Sequence, residues 1–438
     1  MHHLAERLRA GPERWRDRPT WRRLGRLEAA GPGGLLARLP GGRVGERVEV
    51  GPRRRPAVVI GFSAERAVLA PLGPAQQLRA GAAVRACGTQ LAVGWSPDWL
   101  GRVLDPLGRP LDGRPAPRGR LRLPLEAAAP AALERQPISA ALDTGVRAID
   151  GLCCLGRGQR LGLFAPAGVG KSTLLGQIAR GTAADCTVLC LVGERGREVR
   201  EFLEDGLGAA GRRRCAVVCA TADAPAGVRA LALPAATALA EGFRRAGRQV
   251  LLLADSLTRH SRALRELALA AGEPPSRRGY PASIFDRIAA LLERAGTDGH
   301  GAVSAIYTVL TEDRADDDPL AQEVRGMLDG HVVLDRQLAR AGCYPAIDPC
   351  ASLSRLMPRL VAADQLRAAA AFRRLWATYA ERADLIAAGA YAAGSEPETD
   401  RAIALRPRQL AYLAQPYDAL HPAEQARAEL LSLMGADR

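Results

Sequence analysis

The sequence predicts an α/β fold in which a parallel sheet is covered by helices, with a small β-barrel before it and a helical domain after it. Three observations carry this prediction. From about residue 150, apolar runs of five to eight residues alternate with helical stretches, and each run is apolar on both faces, as strands buried between two layers of helices must be. Ahead of them, residues 26–95 hold short alternating stretches broken by glycine and proline, such as Arg43-Val-Gly-Glu-Arg-Val-Glu-Val50. Beyond residue 363 the chain becomes alanine-rich with helical periodicity, LRAAAAFRRLWATYAERADLIAAGAY.

Taken in order, residues 1–25 form an arginine-rich segment in which Leu4, Leu8, Trp15 and Trp21 give a loose amphipathic face despite Pro12 and Pro19. It reads either as a segment for an anionic membrane surface or a docking partner, or as a solvated tail. The barrel follows over 26–95, with stretches 43–50, 57–62 and 66–71 as strands. The turn-rich segment 100–112 opens the central domain, assigned to 96–363, whose strands are expected at 160–165, 186–192, 215–220, 250–254 and 303–310. Residues 364–438 are the helical C-terminal domain.

At 438 residues the chain is long enough for several domains and a large buried core. Its formal charge of +14 calls for an acidic partner, without choosing among nucleic acid, an anionic membrane face and a phosphorylated ligand. Aromatics make up 4% and do not interleave with basic runs, which disfavours nucleic acid held by stacking. Nine cysteines, without a C-x-x-C pair and mostly within apolar runs, read as reduced core residues of a cytosolic protein. No apolar stretch approaches the roughly 18 residues of a membrane span, and the N-terminus has no apolar secretion signal, so a cytoplasmic location is expected.

One residue type singles out a site. Lys171 is the only lysine among 61 basic side chains, and it stands in the run Ala165-Pro166-Ala167-Gly168-Val169-Gly170-Lys171-Ser172-Thr173. A compact ammonium enters a tight loop of backbone amides where a planar guanidinium does not. The strand before this run and the helix after it give the context of a phosphate-binding loop: amides and Lys171 for the β and γ phosphates of ATP, the Ser172 hydroxyl for Mg²⁺. The first glycine of the usual loop is Ala165 here, and Pro166 lacks an N–H, a loss at the start of the loop rather than over 168–172. Glu194, in Val192-Gly-Glu-Arg-Gly-Arg-Glu198 at a strand end, is the candidate general base. Val250-Leu-Leu-Leu-Ala-Asp255 is a strand ending in an acid that would hold Mg²⁺ through its water shell. Arg355, in Ser352-Leu-Ser-Arg355, is by composition one surface arginine among 60.

At this point the chain resembles the type III secretion ATPases, relatives of the catalytic subunit of rotary ATP synthases. The matching strings are TGVRAIDGL (144–152), GQRLGLFAPAGVGKSTLL (158–175), GERGREVREF (193–202), ADSLTRHSRALRELALAAGEPPSRRGYP (254–281), LLERAG (291–296), DGHVVLDRQLARAGCYPAIDP (329–349) and SLSR (352–355), with LGRVLDPLGRPLDG (100–113) upstream. The resemblance implies a RecA-like P-loop core and a cytoplasmic ATPase, peripheral at the inner membrane, that forms a homohexamer beneath an export gate. Its partners would be stator and central-stalk proteins and the chaperone–substrate complexes it strips and unfolds. Position by position it implies that Lys171 and Ser172 serve phosphate and Mg²⁺, Glu194 activates water, Arg197 follows it in the loop and Asp255 is the Walker B acid. Tyr344 would stack on adenine, and Arg355 would be an arginine finger reaching a neighbouring subunit's site. Loop, base and finger in one chain imply a ring of identical subunits. Pro166, where flagellar members usually carry glycine, leans toward the injectisome branch; His260 replaces the aromatic usual after Leu-Thr-Arg. The flagellar export ATPase is the alternative within the family. A terminator-type hexameric RNA motor would suit the charge but is opposed by the few aromatics in 26–95, and a ring subunit that binds without hydrolysing is opposed by Glu194.

Overall fold

Six antiparallel strands near the start of the chain close on themselves: β1 (Leu24–Gly31), β2 (Gly34–Arg38), β3 (Glu46–Val50), β4 (Arg55–Ser63), β5 (Arg66–Pro71) and β6 (Ala83–Gln90), in the spatial order β1-β2-β5-β4-β3-β6 with β6 returning to β1. The alternation seen in the sequence sends every second side chain inward, so that Val48 and Val50, Ala57 and Val59, Ala67 and Leu69, and Val84 and Ala86 fill the barrel. The first strand begins at Leu24, inside the stretch assigned from sequence to the basic N-terminal segment 1–25.

This computed structural model describes residues 23–31, 34–117, 119, 121–311 and 318–435. Residues 1–22, the bulk of the basic segment read as a membrane or docking element, lie outside the described residues. The chain divides into two units: the barrel unit takes residues up to 91 with 225–228 and 263–281, and the larger unit takes the rest.

The larger unit is built on a mostly parallel sheet. Its strands are β7 (Val103–Leu104), β8 (Arg160–Ala165), β9 (Cys186–Val192), β10 (Cys215–Ala220), β11 (Gln249–Asp255), β12 (Ala302–Leu310), β13 (Gly330–Val333) and β14 (Leu353–Ser354). They run in the order β14-β13-β8-β12-β11-β9-β10-β7, and only the edge strand β14 is antiparallel in this series. The apolar runs of the sequence are these strands, and every residue of β9 and β10 is buried. The turn-rich segment near 100 supplies the far edge, β7.

Two helices flank the strand that leads into the lysine-bearing loop. Helix α1 (Arg147–Leu152) precedes β8, and α2 (Lys171–Gly181) follows it, burying Leu174, Leu175, Ile178 and Ala179 on one face. The C-terminal segment folds as α3 (Ala363–Ala387), α4 (Pro397–Leu413) and α5 (Ala423–Gly435). Ala368, Ala369, Phe372, Leu375 and Trp376 recur at helical spacing on α3 and join the same core as α1 and α2.

Candidate functional site

The parallel register brings the ends of four strands to one edge of the sheet, where open α/β sheets take their ligands. Ala165 of β8 stands beside Leu310 of β12, and Asp255 of β11 stands beside Leu191 of β9. Beyond Ala165 the chain turns through Pro166 and Ala167 into a loop whose Gly168 and Gly170 have φ of 81° and 87°. These are left-handed values that glycine reaches without a Cβ penalty. Val169 is buried and pins the loop to the core. Helix α2 starts at Lys171 with Gly170 as its cap, so the first-turn amides, lacking carbonyl partners within the helix, face the loop's concavity together with the positive end of the helix dipole.

Into that concavity the sheet delivers a charged cluster. Lys171 Nζ donates to Asp255 Oδ1 and stands 3.9 Å from Glu194 Oε1. Thr308 Oγ1, near the end of β12, donates to the same Asp255 oxygen at 2.8 Å. Asp255 is 2% exposed, and a buried carboxylate is held there only when partnered in this way. Glu194 in turn meets Arg259, whose Nη1 lies 2.6 Å from Glu194 Oε1 and donates to the Gly193 carbonyl at 2.7 Å. Burial pushes the Glu194 carboxyl above the ordinary glutamate range, the shared hydrogen bond with Glu198 adds to this, and Arg259 opposes it. Glu198 moves the other way, held down by its hydrogen bond from Glu194.

A cleft of 580 Å³ opens beside this cluster, lined by Ser172, Thr173 and Arg180 of α2, by Glu194, Glu198 and Asp255, and by Tyr417. The Ser172 hydroxyl and the Asp255 carboxylate are the hard oxygen donors that suit Mg²⁺ with its water shell.

Tyr344 lies at the loop: a Cβ on Gly170 would come within 3.2 Å of its ring, and the ring is 45% exposed. Arg197 does not join the Lys171 group; it pairs with Glu201 on the short helix Gly196–Glu201, with its side chain 70% exposed. Arg355 follows the edge strand β14, its amide bonded to the Asp329 carbonyl at 3.0 Å. Its exposed guanidinium forms no ion pair among the described residues. The strand before it is well fixed, since Ser352 Oγ accepts from Val333 N at 3.0 Å and Ser354 Oγ from Gln159 Nε2 at 3.0 Å.

Sequence reading did not single out Arg259, Thr308, Glu198, Arg180 or Tyr417. Arg259 was within reach, one helical turn after Asp255, and so was Thr308, a hydroxyl within an apolar strand. Tyr417 carried no local signal, because only the long-range fold brings it to the cleft.

Two family profiles match the chain: the ATP synthase alpha/beta family, nucleotide-binding domain, over residues 145–354, and the T3SS EscN ATPase C-terminal domain over residues 361–432. A type 3 secretion system ATPase of Xanthomonas euvesicatoria is 50% identical over 377 residues, covering 86% of this chain and 85% of the relative. A flagellum-specific ATP synthase of Pseudomonas aeruginosa is 48% identical over 380 residues, covering 86% and 84%. Among solved structures, the assembled ATPase EscN from the enteropathogenic E. coli type III secretion system superposes with a TM-score of 0.90 at 41% identity, covering 94% of this chain and all of that one. EscN in complex with its central stalk EscO gives a TM-score of 0.86 at the same identity and coverage.

Proposed function

Because the chain belongs to the type III secretion and flagellar ATPases of the ATP synthase alpha/beta family, and is an ATP-hydrolysing enzyme of protein export, we propose a role for each candidate site residue. Lys171 and the amides of 168–173 grip the β and γ phosphates. Ser172 and Asp255 would hold Mg²⁺, which would supply screening of the phosphate charge. Glu194 takes a proton from the attacking water, and Arg259 keeps its carboxylate aimed at that water. Tyr344 stacks on adenine. Arg197, away from the Lys171 group and beside the cleft-lining Glu201, has its place in the loop after Glu194. Arg355 acts in a neighbouring copy's site, which makes hydrolysis depend on assembly.

The observation that carries this reading is the meeting of Lys171 with both Asp255 and Glu194, a phosphate-loop lysine within reach of a strand-end acid and a candidate base. With ATP bound, the lysine has a better anionic partner in the phosphates, and its exchange from Asp255 would leave that carboxylate available to Mg²⁺.

In the cell we place the chain as a homohexamer on the cytoplasmic face of the inner membrane, beneath an export gate, in contact with stator and central-stalk proteins and with chaperone–substrate complexes. Two features support this: the likeness to assembled EscN, alone and with its stalk, and the absence among the described residues of any helix long and apolar enough to cross a membrane. Pro166 favours the injectisome branch. The flagellar reading stands beside it because a flagellum-specific relative is nearly as similar, 48% against 50%. ATPase activity measured across protein concentration, with sizing in parallel, tests the scheme: activity is expected to rise with hexamer formation, and Lys171→Arg is expected to abolish it at every concentration. Full turnover by single copies, or by that variant, would refute it.

A further inference from the structure

Between α4 and α5 the chain turns back through residues 414–422, and α2 holds that turn by its backbone. Gln177, 2% exposed, donates from its side-chain amide to the Pro416 carbonyl at 3.1 Å and the Ala419 carbonyl at 3.0 Å. Nearly one helical turn on, Arg180 donates through one nitrogen to the Tyr417 carbonyl and through the other to the Gly206 carbonyl. Three of the four carbonyls of residues 416–419 are thus held by the helix that begins at Lys171. Gln415 completes the fixture: its side chain donates to Ala419 O and Gly145 O, each at 2.8 Å, and its main-chain N–H donates to the Tyr344 carbonyl at 2.7 Å.

The turn presents Tyr417, 59% exposed and lining the cleft. A loop that only needed tethering could be held by apolar packing, and residue 177 lies on a helix face otherwise occupied by Leu174 and Ile178. A buried amide there earns its place by fixing main-chain height, since each donor it directs at a carbonyl sets a distance to within a few tenths of an ångström.

We propose that Gln177 and Arg180 are positioning residues for the nucleoside half of the ligand. They set the height of Tyr417 over the cleft, so that one rigid helix holds the phosphates at its start and the aromatic wall near its end. This rests on the reading of the cleft as a nucleotide site.

The test is calorimetric titration of the full chain, with Mg²⁺, by ADP and by inorganic pyrophosphate. Gln177→Met keeps the volume and removes the donors. It is expected to weaken ADP about tenfold, the equivalent of roughly one net hydrogen bond, and to leave pyrophosphate affinity unchanged. Tyr417→Ala is expected to do the same, and the double variant to lose no more than the larger single loss. If the contacts merely hold the C-terminal helices down, ADP and pyrophosphate affinities will fall together or neither will change, and the inference fails. Additive losses would also overturn it. Should Gln177→Met not fold, Arg180→Gln with Tyr417→Ala carries the same comparison. A wild-type chain that binds neither ligand would sink the nucleotide reading itself, a result separate from normal ADP binding in the variants.

Discussion

Two arginines proposed to serve the chemistry stand in opposite surroundings. Arg259 is engaged within its own chain by Glu194 and the Gly193 carbonyl, whereas Arg355 sits exposed on a firmly anchored edge strand with no ion pair among the described residues. An arginine held by internal partners serves the site it lines. One that is aimed by a rigid strand and left without an anion is suited to a charge that arrives from outside the chain. On the proposed reading, the inner half of the site is complete in one copy, and the outer half is supplied by another.

The sharpest way to break that contrast is Arg355→Ala, expected to cost about 10³-fold or more in turnover, as arginine fingers do, while leaving single-copy ATP binding intact. Mixing it with Lys171→Arg chains is expected to restore part of the activity, because some interfaces then pair an intact loop with an intact finger. Steady-state turnover of the mixtures checks this, and failure of every ratio would move Arg355 out of the neighbouring site. Next in size, Glu194→Gln is expected to lower turnover about 10²- to 10⁴-fold, the span of general base catalysis, with bound ATP still detectable by rapid filtration.

A smaller effect distinguishes the two arginines directly. Burial raises the Glu194 carboxyl and Arg259 pulls it back. On the reading of Glu194 as a base that works deprotonated, activity is expected to be lost as pH falls through that raised value. Arg259→Gln is expected to shift the acid limb of the pH–rate profile to higher pH, while Arg355→Lys leaves the limb where it is.

The smallest effect concerns the helix that carries Arg259. His260 is buried, its Nδ1 lacks a hydrogen-bond partner among the described residues, and burial pushes its pKa from 6.5 to about 4. The unfolded chain binds the proton first, so the stability is fully present above pH 6.5 and is lost as pH falls toward 4. His260→Phe is expected to flatten the fall in Tm across that window. An unchanged slope would show that the ring is not titrating in the folded chain.

Much of the inner half was legible because its residues lie at the ends of strands that announce themselves. Apolar runs marked β8, β9 and β11, and the lone lysine and two acids follow directly from them. The outer half was legible only through resemblance. Nothing local distinguishes Arg355 from 59 other arginines, and its meaning lies in edge-strand geometry that no short window encodes. Tyr417 was missed for the same reason, as its place over the cleft depends on Gln177, far upstream in the chain, bonding the carbonyls on either side of it. Arg197 marks the limit of reading by adjacency: three residues from Glu194, it turns outward on the next helix to pair with Glu201.

The six-stranded cylinder near the start of the chain has its own consequence. Because β6 returns to β1, it has no ragged rim of idle amides that a second molecule could zip onto. In the proposed ring of copies, the chains can thus be concentrated locally without the cylinders stitching into fibres.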